Sequence, residues 1–241
     1  MSSVSDACCA TPAVSNVYKQ LGEYIQIGGE KTYMYTPAPD TKTGIVFLYD
    51  IFGYTAQTIK GADLLAQRTD SVVLMPDVFH GMPMELDAVP PKTEEQKITL
   101  QQFLKGPANP VLVAEKIWDF VDFAEPQFPD VESWGVVGLC WGGKVATLLS
   151  GPRTPFKYSA QAHPAMLDAN DAKEIIIPHL LLASGDEDPS TVKSFAQNMN
   201  SSPNMVKSQS QIVSVPTMFH GYMGARVNLD NKQNAEEYEK G

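Results

Sequence analysis

Two rhythms of hydrophobic and polar positions alternate along the chain. Short apolar, β-branched runs recur, and each is followed by turn residues and then by a stretch of helical period, the pattern of strands and helices alternating in a largely parallel sheet. Residues 23–28 and 32–36 alternate around the Gly28-Gly29 turn and predict an opening hairpin. A buried strand is predicted over 45–49, then a helix over 57–68 whose Ile59, Ala62, Leu65 and Ala66 share one face. The next strand, 72–75, stops at Pro76-Asp77. Residues 79–91 carry His80-Gly81-Met82-Pro83 and Pro90-Pro91, punctuation that predicts a loop over one end of the sheet. Helices over 93–104 and 111–123 lead to a strand over 134–139, with a helix over 142–149 almost at once. Strands follow over 157–162, 179–183 and 211–215, with helices after Pro189 and after Asn231. There is no internal repeat, low-complexity segment or linker. The pattern predicts one α/β domain over 18–241, with a mostly parallel central sheet of about eight strands flanked by helices on both faces. A mobile segment over 1–17 is expected to precede it.

Composition narrows the function classes. The 241 residues are 43% hydrophobic and 19% charged, enough apolar content for one sizeable core. Lys plus Arg number 18 against 28 Asp plus Glu, a formal net charge of −10. Gripping nucleic acid or an anionic membrane needs clustered positive charge, and the chain has no Lys/Arg run to supply it. A small molecule or a protein is therefore the expected partner, and a monomer or weak homodimer the expected state. No run approaches the ~18 apolar residues of a membrane span. The first sixteen residues lack the basic and apolar regions of a secretory signal and the arginines of a transit peptide. Three cysteines, Cys8, Cys9 and Cys140, are too few for a disulfide framework, so reduced thiols in a cytoplasmic protein are expected.

Chemistry concentrates around Cys140. The run Trp134-Gly-Val-Val-Gly-Leu-Cys140-Trp-Gly-Gly reads as strand, Gly138-x-Cys140-x-Gly142, then helix, the form of a nucleophile elbow with cysteine in the serine position. The flanking glycines suit a strained turn where neighbouring chain passes too close for a Cβ. A helix N-terminus beside the sulfur favours its thiolate. The alternative is a small buried hydrophobe at a strand end. An acid and a histidine are then expected on loops after later strands. Gly185-Asp-Glu-Asp188-Pro189 supplies carboxylates: Asp188 is the chosen acid and Asp186 the runner-up, while Asp186 and Glu187 read more simply as caps of the helix after Pro189. His220-Gly221-Tyr222 gives a histidine just past a strand, in the required order.

These motifs, together with Tyr49-Asp50-Ile51-Phe52-Gly53 and Met75-Pro76-Asp77-Val78-Phe79, resemble the dienelactone hydrolase family, and the similarity to its fungal branch runs from about Tyr18 to Tyr238. The resemblance implies an α/β-hydrolase fold and a triad of Cys140 as nucleophile, His220 as general base and Asp188 as its orienting carboxylate. It implies ester or lactone cleavage through a thioester acyl-enzyme, with no metal or cofactor. The oxyanion would be held by the backbone N–H groups of Trp141 and Ile51.

Two positions depart from the family pattern. Bacterial members carry Glu before Ile-Phe-Gly, where it contacts the thiol and aids its activation; here Asp50, one methylene shorter, holds that place, with a structural hydrogen bond at the strand end as the alternative. Relatives acting on dienelactone carry arginines after the Pro-Asp motif and after the histidine. Here the first is missing and the second is represented by Arg226, either an anion contact or a solvated surface charge. Tyr54, Phe79, His163 and Tyr222 complete the expected substrate contacts, with Trp141 and Met82 in an apolar wall or simply in the core. Cys8 and Cys9 read as exposed thiols without a second ligand pair for a metal. A different functional class, a ligand-binding or redox-sensing protein that kept the fold and uses Cys140 as a sensing thiol, is the competing reading.

Overall fold

The computed structural model describes residues 11–201 and 204–241. Cys8 and Cys9 lie outside them. Among the described residues eight strands form one sheet, in the order β1-β2-β4-β3-β5-β6-β7-β8. The predicted hairpin is β1 (Glu23–Ile27) with β2 (Glu30–Tyr35), paired antiparallel, and β2 pairs antiparallel with β4 (Ser71–Pro76). All further pairings are parallel: β4 with β3 (Thr43–Leu48), then β5 (Ser133–Leu139), β6 (Tyr158–Ala162), β7 (His179–Ser184) and β8 (Gln211–Val215). Central strands covered on both faces need continuous apolar runs, and β4 is buried at all six positions.

Local chemistry sets the helix starts. Thr55 caps α1 (Ala56–Thr69) by accepting from the Thr58 N–H. Thr93 and Gln96 form a reciprocal capping box on α2 (Glu94–Lys105), and Asn109 followed by a proline opens α3 (Pro110–Ala124). α4 (Trp141–Leu148) leaves β5 without a connecting loop. α5 (Pro189–Met199) follows β7, and α7 (Lys232–Lys240) closes the chain. Side chains alternate across a strand, so Gly138, packed on α4, faces the opposite way from Val137 and Leu139, which line a groove with Leu65 of α1 and Tyr238 of α7. The helices thus cover both faces. Tyr238 ties α7 to α1 by donating its hydroxyl to the Gln57 carbonyl at 2.5 Å.

Three features were not anticipated. A short helix, α6 (Asn204–Gln209), precedes β8, and its Val206 joins Phe195, Met199 and Leu181 in a small second core. Between β6 and β7, His179 is buried in a polar chain: its Nδ1 is 2.8 Å from Ser159 Oγ, its Nε2 is 2.9 Å from Gln161 Nε2, and Ser150 donates to Ser159. Residues 14–16 are hydrogen-bonded to the body of the fold. Val14 donates its N–H to the Ala225 carbonyl at 2.8 Å, Gln57 Nε2 donates to the Val14 carbonyl at 2.7 Å, and Asn16 Nδ2 reaches the Val227 carbonyl at 3.3 Å. Among the described residues no helix is long and apolar enough to cross a membrane.

Candidate active site

The elbow follows from steric necessity. Cys140 holds φ 53° and ψ −113°, a region that costs a non-glycine residue about 1–3 kcal/mol and persists only where the surroundings enforce it. Three backbone bonds do so. The Cys140 N–H donates to the Ala162 carbonyl at 3.0 Å, and the Cys140 carbonyl accepts from Gly143 at 3.1 Å and Ala165 at 3.0 Å. The two flanking glycines are required by close approach: a Cβ on Gly138 would lie 2.0 Å from the Gly142 carbonyl oxygen, and one on Gly142 would lie 2.3 Å from that of Leu48. The result lifts the sulfur onto the carboxyl end of the sheet, where ligands bind in α/β folds.

β8 delivers the histidine to the same end. His220 Nε2 lies 3.1 Å from Cys140 Sγ, and His220 Nδ1 lies 2.9 Å from Glu187 Oε1. An ionised carboxylate only accepts, so the Nδ1–H donates to Glu187 and leaves Nε2 to receive the thiol proton. All three side chains are buried, Cys140 being 3% and His220 0% exposed. Glu187 is held in turn by the Ser184 N–H, which donates to its other oxygen.

This corrects the expected acid. Asp188, not Glu187, was expected at His220, yet its carboxylate is exposed and accepts from the N–H groups of Ser190 (3.3 Å) and Thr191 (2.9 Å) and from their hydroxyls. Those bonds hold it down to about 2, below the usual carboxylate range. Asp188 is the cap of α5, the role expected of its two neighbours. Asp186 does not cap either: its Oδ2 accepts the backbone N–H of His220 at 2.8 Å and fixes the histidine's main chain. The signal that separates the three acids is Asp-Pro-Ser-Thr, an N-cap with proline at the first helical position, which commits Asp188 to the helix.

Asp50 lies two residues past the end of β3 and is buried. Its Oδ1 accepts the Phe52 N–H at 2.9 Å and its Oδ2 the Ala225 N–H at 2.9 Å, so both oxygens are engaged by backbone donors from two loops. Burial raises its pKa, while those two bonds and the charges of Arg226 and His220 draw it back. Ile51 lies inside the first of these loops, and Trp141 opens α4, where helix geometry leaves the first N–H groups without an intrahelical acceptor.

The expected substrate contacts divide. Phe79 belongs to the core instead, and Tyr54 packs half-buried against it. Tyr54 donates its hydroxyl to the Met75 carbonyl at 2.6 Å, and its ring meets Tyr49 at 5.4 Å. Phe79 is 1% exposed and packs between Trp141 and Phe103, each 4.8 Å away between ring centroids. Trp141 is buried with its Nε1–H donated to the Ala108 carbonyl at 2.7 Å, whereas Met82 is exposed. His163, Tyr222 and Arg226 gather at His220. The His163 ring lies 5.3 Å from that of His220 and 5.6 Å from that of Tyr222. Tyr222 is pushed up to about 12 by burial and by Glu187 and Glu237. Arg226 is only 3% exposed, packs its stem over Gly221 and places its guanidinium 5.8 Å from the Phe52 ring centroid, which excludes the reading as a solvated charge. Among the described residues no group of three or more His, Cys, Asp or Glu is arranged to hold a metal ion.

Comparison with known proteins agrees with this architecture. Residues 31–240 match the dienelactone hydrolase family. An uncharacterized AIM2 family protein of Schizosaccharomyces pombe is 34% identical over 241 aligned positions, covering 98% of this chain and 94% of that protein. Among solved structures, a dienelactone hydrolase from Anabaena variabilis superposes with a TM-score of 0.57 at 16% identity, covering 84% of this chain and 88% of its own. A dienelactone hydrolase-like promiscuous phosphotriesterase from metagenomic libraries gives 0.60 at 15% identity, over 89% and 87%. At those identities the two structures show the fold, an α/β-hydrolase fold, and the match along 31–240 shows the family: the chain belongs to the dienelactone hydrolase family of hydrolases.

Proposed function

We propose that the protein is a thiol esterase, cleaving a small ester or lactone through Cys140, His220 and Glu187. The observation that carries this reading is the unbroken line from Glu187 Oε1 through the His220 ring to Cys140 Sγ, at 2.9 and 3.1 Å. His220 Nε2 takes the thiol proton and the thiolate attacks the substrate carbonyl. The tetrahedral oxyanion is held by the N–H groups of Trp141 and Ile51, donors whose positions are set by the main chain. Collapse expels the alkoxide, which takes its proton from His220 and leaves a thioester on Cys140. Water, deprotonated by His220, then releases the acid and restores the thiol. Glu187 keeps the imidazole in the right tautomer and stabilises the imidazolium in both halves. Asp50 acts at one remove from the sulfur, by fixing the loops that carry Ile51 and Arg226. Arg226 is the buried cation for a substrate carboxylate, a local attraction that a chain of net charge −10 needs.

The test is hydrolysis of p-nitrophenyl acetate by the wild type, Cys140→Ala and His220→Ala. Turnover in the wild type alone, with a mass increment of one acetyl group on Cys140 early in the reaction, supports the reading. Equal rates for the three proteins across a panel of esters and lactones end it in favour of a non-catalytic thiol protein.

A further inference from the structure

The mechanism above leaves two buried side chains with polar atoms at the site without work, Tyr222 and His163, and His163 has both ring nitrogens unmatched. His163 is 0% exposed, and neither Nδ1 nor Nε2 has a hydrogen-bond partner among the described residues. A neutral imidazole carries one N–H donor and one acceptor, and leaving either unmatched in the interior costs about 1–3 kcal/mol. A purely packing residue there would do better as phenylalanine or leucine. The backbone adds to the cost, since His163 has φ 37°. Yet the residue is firmly built in. It follows β6 directly, donates its own N–H to the Leu182 carbonyl at 2.7 Å, and sits in the turn whose Ala165 N–H holds the nucleophile's carbonyl. Its ring meets His220 edge to face at 5.3 Å.

The surroundings also decide its charge. Burial, aided by the positive charges of His220 and Arg226, holds its pKa well below the ordinary imidazole range. His163 is therefore not a second cation for a carboxylate but a fixed, uncharged donor and acceptor within one ring contact of the general base.

We propose that His163 is a specificity-determining residue that hydrogen-bonds an oxygen substituent, a hydroxyl or keto group, carried by the acyl part of the substrate within two carbons of the scissile carbonyl. Oxygenated esters or lactones, rather than plain hydrocarbon acyl esters, are then the substrate class of the Cys140 site. The proposal rests on the hydrolase reading above and adds to it. It divides recognition between two groups: Arg226 supplies charge, and His163 supplies direction and hydrogen-bonding sense.

The experiment measures kcat/KM for 4-nitrophenyl butyrate and for its 2-hydroxy and 3-hydroxy counterparts, using the full chain as wild type, His163→Phe and His163→Gln. A wild-type preference of roughly tenfold or more for one hydroxylated ester is expected, because sites built to pair a hydroxyl reject its absence far more strongly than apolar pockets reject its presence. His163→Phe should lose at least about tenfold more on that ester than on butyrate. His163→Gln, which keeps a donor and an acceptor, should retain most of the preference even if the phenylalanine variant folds poorly. The proposal is overturned if the wild type shows no preference, or if both variants lower all three esters by one common factor, the mark of a ring that merely packs His220 or holds the attacking water. Failure of the hydrolase reading shows differently, as no turnover of any of the three esters above Cys140→Ala, and it takes the proposal with it.

Discussion

Glu187 and His220 form a buried carboxylate–imidazole contact, 2.9 Å between Oε1 and Nδ1, with the two side chains 3% and 0% exposed. The adjacent Asp188 points into solvent. One residue of register along a turn therefore decides which carboxylate serves the histidine. Glu187→Gln is expected to lower kcat/KM by about 10³-fold, since an amide cannot select the tautomer or stabilise the imidazolium. Asp188→Ala should instead leave ester hydrolysis within about threefold of wild type and lower the thermal midpoint, as loss of an N-cap does. Kinetics paired with thermal melts of the two variants separate the roles; the reverse assignment would return Asp188 to the triad.

Gly142→Ala asks a narrower question about the elbow. Its new Cβ would sit 2.3 Å from the Leu48 carbonyl oxygen and 2.6 Å from that of Tyr49, and backbone atoms cannot swing aside as side-chain tips do. A loss of about 3 kcal/mol or more in unfolding free energy is expected, with esterase activity abolished. An active, fully stable alanine variant would show that β3 and α4 approach less closely than described.

Stability should fall on acidification, and the sign can be worked from two histidines. Burial lowers His163 well below the usual imidazole range and His179 to about 3, whereas both protonate near 6.5 in the unfolded chain. Below about pH 6.5 the unfolded state binds protons that the folded state refuses, so the contribution is complete above that pH and shrinks as pH drops. His179 should cost about 2 kcal/mol between pH 7 and pH 5, with His163 acting in the same direction. Urea unfolding at the two pH values checks it: His179→Gln should fall less steeply than wild type by one histidine's share, and parallel slopes would contradict the burial.

Asp50→Asn exchanges one acceptor oxygen for an amide donor, so either the Phe52 or the Ala225 N–H loses its partner. A cost of about 1–3 kcal/mol in unfolding free energy is expected. Activity should fall as well, because the loops carrying Ile51 and Arg226 are fastened through this carboxylate. Unchanged kinetics with unchanged denaturation would remove Asp50 as the tether.

Arg226→Gln should discriminate substrates by charge. Esters bearing a carboxylate on the acyl part are expected to lose at least about tenfold in kcat/KM relative to neutral esters of the same size, with the gap narrowing in high salt less than for a surface arginine. A uniform loss would place Arg226 in loop packing instead.

Much of this was legible in the sequence, for reasons that differ by element. Buried parallel strands announce themselves as apolar runs, so β3, β4 and β5 fall within a residue or two of their predicted positions. The elbow was readable because steric exclusion at Gly138 and Gly142 leaves no other residue type possible. The acid was not, since three consecutive carboxylates at the end of β7 differ in direction rather than in chemistry, and only the Ser-Thr pair after Pro189 marks which one the helix claims. The sequence leaves Arg226 between an anion contact and a solvated charge for a similar reason. Its distance along the chain from His220 says nothing about the loop that folds its stem back over Gly221. Tyr54 and Phe79 were read by position as substrate contacts, but their partners, Met75, Trp141 and Phe103, come from other elements.

The docking of residues 14–16 against 225–227 has a consequence for the order in which the protein is made. Asn16 and Val227 stand 211 positions apart, and Cys140 is synthesised 80 positions before His220. A nascent chain translated up to the middle of β8 thus carries the sulfur without its base, without the second donor to Asp50, and with its leader unfastened. Domains fold as units while synthesis runs from the N-terminus. The site proposed for hydrolysis is therefore assembled only once synthesis has passed residue 227 and that loop can meet residues 14–16, rather than step by step as the chain lengthens.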